Sequence, residues 1–319
     1  MNNTLLVIVL ASAVAYGTPL LYAALGELLA ERSGVLNLGV EGMMLTGAVT
    51  GFLAVQHVGD SAWSALAFGV WAAAVAGGAA ALLLAFLVVT LRANQIVTGL
   101  ALTILLGAAG LSSYIGNDFQ LADNPARFSF GSADVFGLGD LPVLGPIVFG
   151  QTWLVVASWG CVALVGFYLS RTRPGLELRA VGEAPASADA VGINVARVRY
   201  FHTVLGGMFA GVGGASFSLA LTPQWVDGLT AGAGWIAIAL VIFAFWRPEL
   251  CLVGAYVFGA FSALPLTLQA RGVTIVPQLF EALPYLMTII VLVVVASGIG
   301  RRRLGAPAAL GVPYEREER

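Results

Sequence analysis

Charged and amide side chains are concentrated in one short stretch of an otherwise apolar sequence. They are Glu27, Glu31, Arg32, Asn37 and Glu41. Ionisable groups in apolar surroundings are costly, so they pair with one another or line a polar cavity. Glu27 and Glu31 lie one helical turn apart, with Arg32 as their nearest counter-charge. For these three residues we therefore predict a turn anchored at a polar interface.

Asn37 and Glu41 differ from that group because neighbouring glycines permit a broken helix there. Their spacing of four residues would place both side chains on one helical face. Two interpretations of Glu41 stay open. It lies beside a path for a solute, or it accepts an internal hydrogen bond that holds an irregular segment together. The role of Gln95 also has two interpretations, since its amide could bind a solute or cap a helix.

A second irregular region runs from Thr222 to Glu249 and combines proline and several glycines with a short apolar stretch. The candidates to stack on a planar solute are Trp235, Phe243, Phe245 and Trp246. Trp246, at the end of the stretch, has the position of a tryptophan at a lipid interface. Two interrupted apolar segments, one in each half of a chain, are the sequence pattern of a central site in a transporter.

The basic residues exclude several chemistries, because all 15 are arginine and the chain has no lysine. A phosphate-binding loop of the G-x-x-x-x-G-K-[ST] type requires lysine, so the chain cannot itself be a P-loop ATPase. Cys161 and Cys251 lie in apolar runs, as structural thiols do. The two histidines and the carboxylates have no metal-ligand spacing. We expect no metal, no cofactor and no nucleic-acid partner.

Composition indicates a membrane protein. Of 319 residues, 59% are hydrophobic and 10% are charged, and the mean hydropathy is +0.91, far above the values of soluble proteins. Each crossing of a bilayer takes about 20 apolar residues, which predicts an all-α polytopic membrane protein with about nine transmembrane helices (8–10). The predicted spans are 4–26, 35–56, 62–91, 94–115, 151–170, 201–222, 229–246, 250–269 and 281–299.

Arginine placement predicts the orientation, because short cytoplasmic loops are enriched in basic residues. Five arginines lie in the loop 171–200 and five in the tail 301–319. Placing both in the cytoplasm gives an N-terminus outside, a C-terminus inside and an acidic extracytoplasmic loop at 116–150. We predict that residues 1–300 form a single transmembrane domain and that 301–319 form a cytoplasmic tail.

The loop 171–200 carries the pattern of a short helix. Pro185 suits a first helical turn, the following alanines favour helix, and Gly192 can terminate it. We expect about two turns of helix at the inner surface of the membrane. Its small side chains would fit a groove on another protein.

At this point the chain resembles the permease subunits of ATP-binding-cassette importers for nucleosides and simple sugars. The resemblance covers nearly the whole chain, and three motifs carry it in the same order. They are ERSGVLNLGVEGMMLTGA at Glu31 to Ala48, LRAVGEAPASADAVGINVARVRY at Leu178 to Tyr200, and AGAGWIAIALVIFAFWRP at Ala231 to Pro248.

The resemblance implies a transport subunit, and not an enzyme, in the bacterial cytoplasmic membrane. It implies a second permease (a paralogue or another copy), a cytoplasmic ABC ATPase dimer, an extracytoplasmic solute-binding lipoprotein and surrounding membrane lipid as partners. It also implies that a cytoplasmic coupling helix contacts the ATPase. The coupling residues would be Glu183, Ala186, Asp189, Ala190 and Gly192.

Alternating access of a nucleoside, most simply a purine nucleoside, is the leading hypothesis. The substrate pathway would then include Asn37, Glu41, Gln95, Trp235 and Phe243. A monosaccharide or branched-chain amino-acid ABC permease is the alternative within transport. Two further classes stay open: an ion-coupled carrier that uses Glu41 as its proton site, and a membrane-embedded enzyme, which would need more convergent acids and bases.

Overall fold

The computed structural model describes residues 3–134, 137–269 and 305–316, with the single positions 286, 289, 290 and 293. Within these residues the fold is all-α, and the only extended pairing is an isolated bridge between Ser132 and Thr152. The helices are α1 (Asn3–Arg32), α2 (Val40–His57), α3 (Ala62–Ala85), α4 (Gln95–Leu106), α5 (Leu111–Asp118), α6 (Trp153–Arg171), α7 (Arg173–Glu183), α8 (Pro185–Ala190), α9 (Val195–Ser216), α10 (Ala233–Phe243) and α11 (Pro248–Gln269).

Six helical segments of the described chain are long and apolar enough to cross a membrane. They are Leu6–Arg32, Ala62–Thr90, Gln95–Asp118, Trp153–Arg171, Val195–Leu221 and Pro248–Gln269. These segments coincide with six of the predicted spans. The predicted span 35–56 corresponds to α2, of 18 residues, and 229–246 to α10, of 11 residues. The predicted span 281–299 lies almost wholly outside the described residues.

Helix α9 packs closely against α1, α2 and α3, and glycine makes that possible. A Cβ on Gly207 of α9 would lie 2.4 Å from the backbone oxygen of Gly77 on α3, so the two backbones approach without intervening side chains. Close backbone contact of this kind is how helices associate where lipid removes the hydrophobic driving force between them.

One end of the bundle collects several chain segments. Arg32 at the end of α1 donates to the carbonyl oxygen of Trp246, just beyond α10, over 3.0 Å. Residues 305–316 lie at the same end, where the backbone N–H of Ala309 donates to the carbonyl of Gly182 in α7. The opposite end carries the segment 119–152, which hydrogen-bonds the chain near Pro223 and Leu219.

The loop 171–200 contains the predicted helix and one that was not predicted. Helix α8 begins at Pro185 and is followed by Gly192, whose φ of +92° lies in the left-handed region that favours glycine. The additional helix is α7, whose first turn is capped by the Thr172 hydroxyl, which accepts from the N–H of Gly175. A capping residue followed by proline inside the first turn is a helix start, so the signal was available.

The predicted interfacial turn at Glu27 to Arg32 is wrong. Helix α1 continues through Arg32, and the carboxylates of Glu27 and Glu31 are each 1% exposed. Glu27 accepts one hydrogen bond from the backbone of Asn37, and Glu31 accepts one from the indole of Trp246. Sequence proximity of Arg32 to the two carboxylates suggested a local cluster, whereas the guanidinium group donates to backbone carbonyls elsewhere.

Candidate functional site

The chain between α1 and α2 is an irregular segment, 33–39, buried inside the bundle. The buried backbone N–H groups of this segment need acceptors. Two side chains from other elements supply them. The N–H of Leu36 donates to Oε1 of Gln95 over 2.7 Å, and the N–H of Asn37 donates to Oε1 of Glu27 over 3.1 Å. Glu27 and Gln95 therefore hold the segment in place.

The remaining bonds of the irregular segment fix its approach to α2. Asn37 accepts the N–H of Gly39 through its own Oδ1, over 2.9 Å, and the hydroxyl of Thr103 on α4 donates to the carbonyl of Leu38. Asn37 thus lies before α2 and not on one helical face with Glu41, as its spacing had suggested. The Nε2 of Gln95, a group 3% exposed, has no hydrogen-bond partner among the described residues.

Glu41 lies in the first turn of α2, and its carboxylate binds the start of α10. Oε1 accepts the hydroxyl of Thr230 at 2.6 Å and the N–H of Gly232 at 2.9 Å, while Oε2 accepts the N–H of Gly234 at 2.6 Å. Helix N-termini leave N–H groups without partners inside the helix, and a carboxylate is their best cap. Glu41 performs that capping from another helix.

The two helix N-termini meet at very short range. A Cβ on Gly234 would lie 2.5 Å from both the Cα and the N of Glu41, so only glycine allows this approach. Each helix presents the positive end of its dipole to the same point. One carboxylate, 7% exposed, therefore neutralises two converging helix starts.

The length of α10 places this junction deep in the bundle. Eleven residues of helix span about 16 Å. At its other end Trp246 is hydrogen-bonded to the end of α1, because its indole N–H donates to Oε2 of Glu31 over 2.5 Å. The junction at Glu41 is thus about half the thickness of a bilayer, about 30 Å, from that end.

Trp246 is not an interface tryptophan, contrary to the expectation from its position. The side chain is 3% exposed and packs in the main hydrophobic core. Its backbone turns at positive φ, 54°, which directs the indole back toward α1 instead of outward. A buried Glu31 then receives the indole N–H, and this pairing satisfies both polar groups.

The predicted pathway residues fall into two groups. Asn37, Glu41 and Gln95 come together around the irregular segment and the start of α2. Trp235 and Phe243 both lie half-buried on α10, where Trp235 follows Gly234 directly. Phe243 lies about 12 Å further along that helix and stacks on Phe258 of α11, with ring centroids 6.1 Å apart.

The predicted coupling residues surround α8. Ala186, Ala190 and Gly192 are exposed, and they leave a surface of small side chains. Two acidic residues instead contact the segment 305–316. Glu183 accepts the N–H of Ala308 over 3.3 Å, and Asp189 accepts the hydroxyl of Tyr314 over 3.0 Å.

Sequence reasoning missed the partners of Glu41 and Glu31. Thr230, Gly232 and Gly234 belong to a region identified only as irregular, and Trp246 was assigned to the interface. A usable signal existed at Gly232 and Gly234, since a glycine just before an apolar helix and another in its first turn leave the first N–H groups accessible and without a side-chain cap. The sequence does not indicate which distant carboxylate reaches them.

Comparison with known proteins identifies the family. The family described as branched-chain amino acid transport system, permease component, matches residues 9–292. No solved structure matches the chain.

Three relatives cover almost the entire chain. A provisionally named glucose ABC transporter permease, TsgC13 of Haloferax volcanii, is 41% identical over 94% of this chain and 95% of its own length. The guanosine ABC transporter permease NupQ of Bacillus subtilis is 34% identical over 99% of this chain and 98% of its own. The nucleoside ABC transporter permease NupC of Lactococcus lactis is 35% identical over 98% of each chain.

These matches replace the ion-carrier and membrane-enzyme hypotheses. Permeases of this kind work with ATPase and binding-protein partners and carry no catalytic activity of their own. Together with six apolar membrane-length helices in the described residues, the matches locate the protein in the cytoplasmic membrane as a multi-pass subunit. The chain therefore belongs to the branched-chain-type transport permease family and is the membrane permease subunit of an ABC importer, with ATP hydrolysed by a separate subunit.

Proposed function

We propose that this subunit imports a nucleoside by alternating access, along a path that passes the junction of Glu41 with the start of α10. The observation that carries the proposal is the set of three hydrogen bonds from Thr230, Gly232 and Gly234 to that one carboxylate. Two broken helical segments meeting near the middle of a bundle are where transporters build their solute sites.

The junction suits a moving part. Helix α10 is short and is preceded by positive φ values at Gly228, Ala231 and Gly232, so its start follows a backbone that turns sharply. Any displacement of α10 relative to α2 must break the hydrogen bonds to Glu41. It would expose the N–H groups of Gly232 and Gly234 and the carboxylate of Glu41. Such groups could then bind hydroxyl groups of a solute, and re-form their mutual bonds after release.

A neutral ribosyl solute fits the side chains near the junction. The amide groups of Gln95 and Asn37 suit neutral hydroxyl and base edges, with Asn37 first exchanging its bonds to Gly39 and Met43. Trp235 offers a ring on which a planar base can stack. Nε2 of Gln95 has no partner in the described residues and is available as a donor. Two nucleoside permeases that match over nearly the full length support this substrate class.

A monosaccharide is the second candidate, because the 41% identical relative is named for glucose. A sugar would use the same amides and hydroxyl-binding groups but would have no planar base for Trp235. A branched-chain amino acid, the solute in the family description, carries both a carboxylate and an ammonium group. It would compete with Glu41 for the start of α10.

The arrangement of segments supports the proposed orientation. Five arginines lie in the loop 171–200, and that loop, the end of α1 and residues 305–316 lie at one end of the bundle. We assign that end to the cytoplasm, with nine spans in a single transmembrane domain of residues 1–300, an N-terminus outside and a tail of residues 301–319 inside.

The exposed face of α8, with Ala186, Ala190 and Gly192, is the proposed contact for the ATPase dimer. Glu183 and Asp189 flank that face. A second permease, either another copy or a paralogue, would complete the path. A solute-binding lipoprotein would deliver solute to the opposite end, where the segment 119–152 lies.

Uptake into proteoliposomes tests the proposal. The permease is reconstituted with its ATPase, its second permease and its binding protein, and labelled guanosine, adenosine, ribose, glucose and leucine are offered separately. We expect ATP-dependent, saturable uptake of the nucleosides, with ribose and leucine at background. Uptake of glucose with no uptake of nucleosides would reject the nucleoside assignment in favour of the sugar.

A further inference from the structure

The C-terminal segment, residues 305–316, crosses the end of the bundle and is bound to the junction of α1 and α2. The N–H of Gly311 donates to the carbonyl of Gly34 over 3.1 Å. Arg199, at the start of α9, donates from Nη1 to the carbonyl of Val312 over 3.0 Å. Gly34 is the second residue of the irregular segment 33–39, which leads directly to the first turn of α2 and Glu41. The C-terminal segment is therefore attached to the chain that positions the buried junction.

The far end of the C-terminal segment is bound to α8. The hydroxyl of Tyr314 donates to Oδ2 of Asp189 over 3.0 Å, and Nε of Arg316 lies 3.3 Å from the same oxygen. Tyr314 also packs against the small hydrophobic cluster that contains Ala188. Asp189 is on the proposed ATPase-contacting helix, where its side chain is 11% exposed, whereas the side chain of Arg316 is 76% exposed.

Arg199 makes the attachment at Gly34 difficult to release. Its side chain is 2% exposed, and within the described residues Nε and Nη2 have no partner. Among the described residues, the hydrogen bond of this guanidinium group is therefore the one from Nη1 to the carbonyl of Val312. Removing the C-terminal segment would take this bond from a charged, poorly solvated group, which is costly. The segment should stay bound at this end while α8 moves.

We propose that residues 305–316 are a strut that carries movement of α8 to the segment 33–39, and through it to the Glu41 junction. The proposal rests on the proposed function, because it requires α8 to be displaced by the ATPase. In this proposal Tyr314 and Arg316 are positioning residues, which touch neither the solute nor the ATPase.

Separating the strut from α8 tests the proposal without touching the ATPase-contacting face. The double variant Tyr314→Phe with Arg316→Met removes the Tyr314 hydroxyl and the Arg316 guanidinium group, which both donate to Asp189. In the complete reconstituted complex we expect the ATPase to stay bound and to hydrolyse ATP. The amount of solute imported per ATP hydrolysed should fall about fivefold or more, because about fivefold is the lower end of typical coupling between two sites in a protein. An unchanged ratio would overturn the strut.

Glu315→Gln is the matched control on the same segment. Glu315 pairs with Arg92, and both side chains are substantially exposed, so the ion pair contributes little to the stability of the protein. Within the described residues the ion pair of Glu315 joins the segment to Arg92 and not to α8. We expect this variant to import as much solute per ATP as the native complex. A loss equal to that of the double variant would show that any disturbance of the segment has the same effect, and would count against the specific link through Asp189.

A covalent link provides the second arm. Asp189→Cys and Tyr314→Cys are combined with Cys161→Ala and Cys251→Ala, and the two new thiols are bridged by a short bifunctional reagent. A strut that stays attached predicts that bridging restores the import per ATP that the unbridged protein has lost. If bridging abolished transport while the ATPase remained bound, the segment would have to release in each cycle, and the proposal would be wrong.

The outcomes also separate this inference from the proposed function. If the native complex shows no ATP-dependent uptake of any offered solute, the proposed function fails, whatever the strut variants do. If the native complex transports and the Tyr314/Arg316 double variant loses the ATPase altogether, the segment is part of the docking surface. In that case the strut is overturned and the proposed function stands.

Discussion

Oε2 of Glu41 accepts the backbone N–H of Gly234 over 2.6 Å, so the first turns of α2 and α10 share one carboxylate. The two residues are 193 positions apart in the chain, and their contact joins the two irregular regions of the sequence. Without the carboxylate, two positive helix ends would face each other, and the N–H groups of Gly232 and Gly234 would lose their acceptor. The contact explains why an acidic residue is tolerated deep within an apolar bundle.

Replacing Glu41 by glutamine should destabilise the protein although its shape is kept. The amide nitrogen of glutamine cannot accept from an N–H, so at least one of the bonds from Thr230, Gly232 and Gly234 is lost. A buried donor left without a partner costs about 1–3 kcal/mol. We expect a decrease of that size in the free energy of unfolding of the purified protein in detergent, and reduced uptake in proteoliposomes.

Glu177→Gln is the control for that measurement, because it makes the same chemical change at an exposed position on α7. It should leave the free energy of unfolding nearly unchanged. If the Glu41→Gln and Glu177→Gln proteins had equal free energies of unfolding, the capping role of Glu41 would be contradicted.

Gly234→Ala tests the close approach of the two helices. The added methyl group would lie 2.5 Å from the backbone N and Cα of Glu41, and neither neighbour is a flexible side chain that could move away. We expect poor folding and little extractable protein. Gly166→Ala is the matched control in α6, where a Cβ meets nothing within 4 Å, and alanine there should be neutral or stabilising by up to about 1 kcal/mol. Equal yields of the two variants would refute the contact.

The bond between Trp246 and Glu31 should appear as an energetic coupling. In a double-mutant cycle with Trp246→Phe and Glu31→Met, we expect the two changes to be non-additive by about 0.5–3 kcal/mol in the free energy of unfolding. Trp225→Phe is the control, since the indole N–H of Trp225 has no partner among the described residues. Its combination with Glu31→Met should be additive, and additivity of the Trp246 cycle as well would exclude the bond.

The site could be predicted in part from sequence because glycine and proline act locally. The irregular segment at Asn37 and the break before α10 follow from backbone freedom, and Glu41 was conspicuous as an acid in an apolar run. The identity of its partners depends on which helices become neighbours. That information is in the packing of α2 against α10, which local patterns do not encode.

The fold, like the site, could be predicted where it depends on local sequence and not where it depends on contacts between distant residues. Six of the nine spans predicted from apolar stretches coincide with membrane-length helices, and proline predicted the start of α8 at Pro185, since both depend on local composition. The end of α1 was misplaced because burial of Glu31 depends on an indole 215 residues away. The attachment of Tyr314 to Asp189 was likewise not predictable, as the tail appeared only as a charged cytoplasmic extension.

The exposed face of α8 should be sensitive to bulk and charge. Ala186→Arg places a long cation on the small-residue surface and should abolish copurification of the ATPase while leaving membrane insertion intact. Ala186 is a cleaner test than Gly192, because Gly192→Trp would also strain a backbone with φ of +92°. Ala122→Arg, at an exposed position in the loop at the other end of the bundle, is the control and should retain the ATPase.

Site-specific cross-linking measures the contact of α8 with the ATPase most directly. Ala186→Cys, in a background with Cys161→Ala and Cys251→Ala, is treated with a short photoactivatable thiol reagent in the assembled complex and irradiated. The account predicts one adduct of the permease with the ATPase subunit, and none from Ala122→Cys. Absence of that adduct in the nucleotide-free, ATP-bound and ADP-bound complexes, while Ala186→Cys reacts freely with a soluble thiol probe, would contradict it.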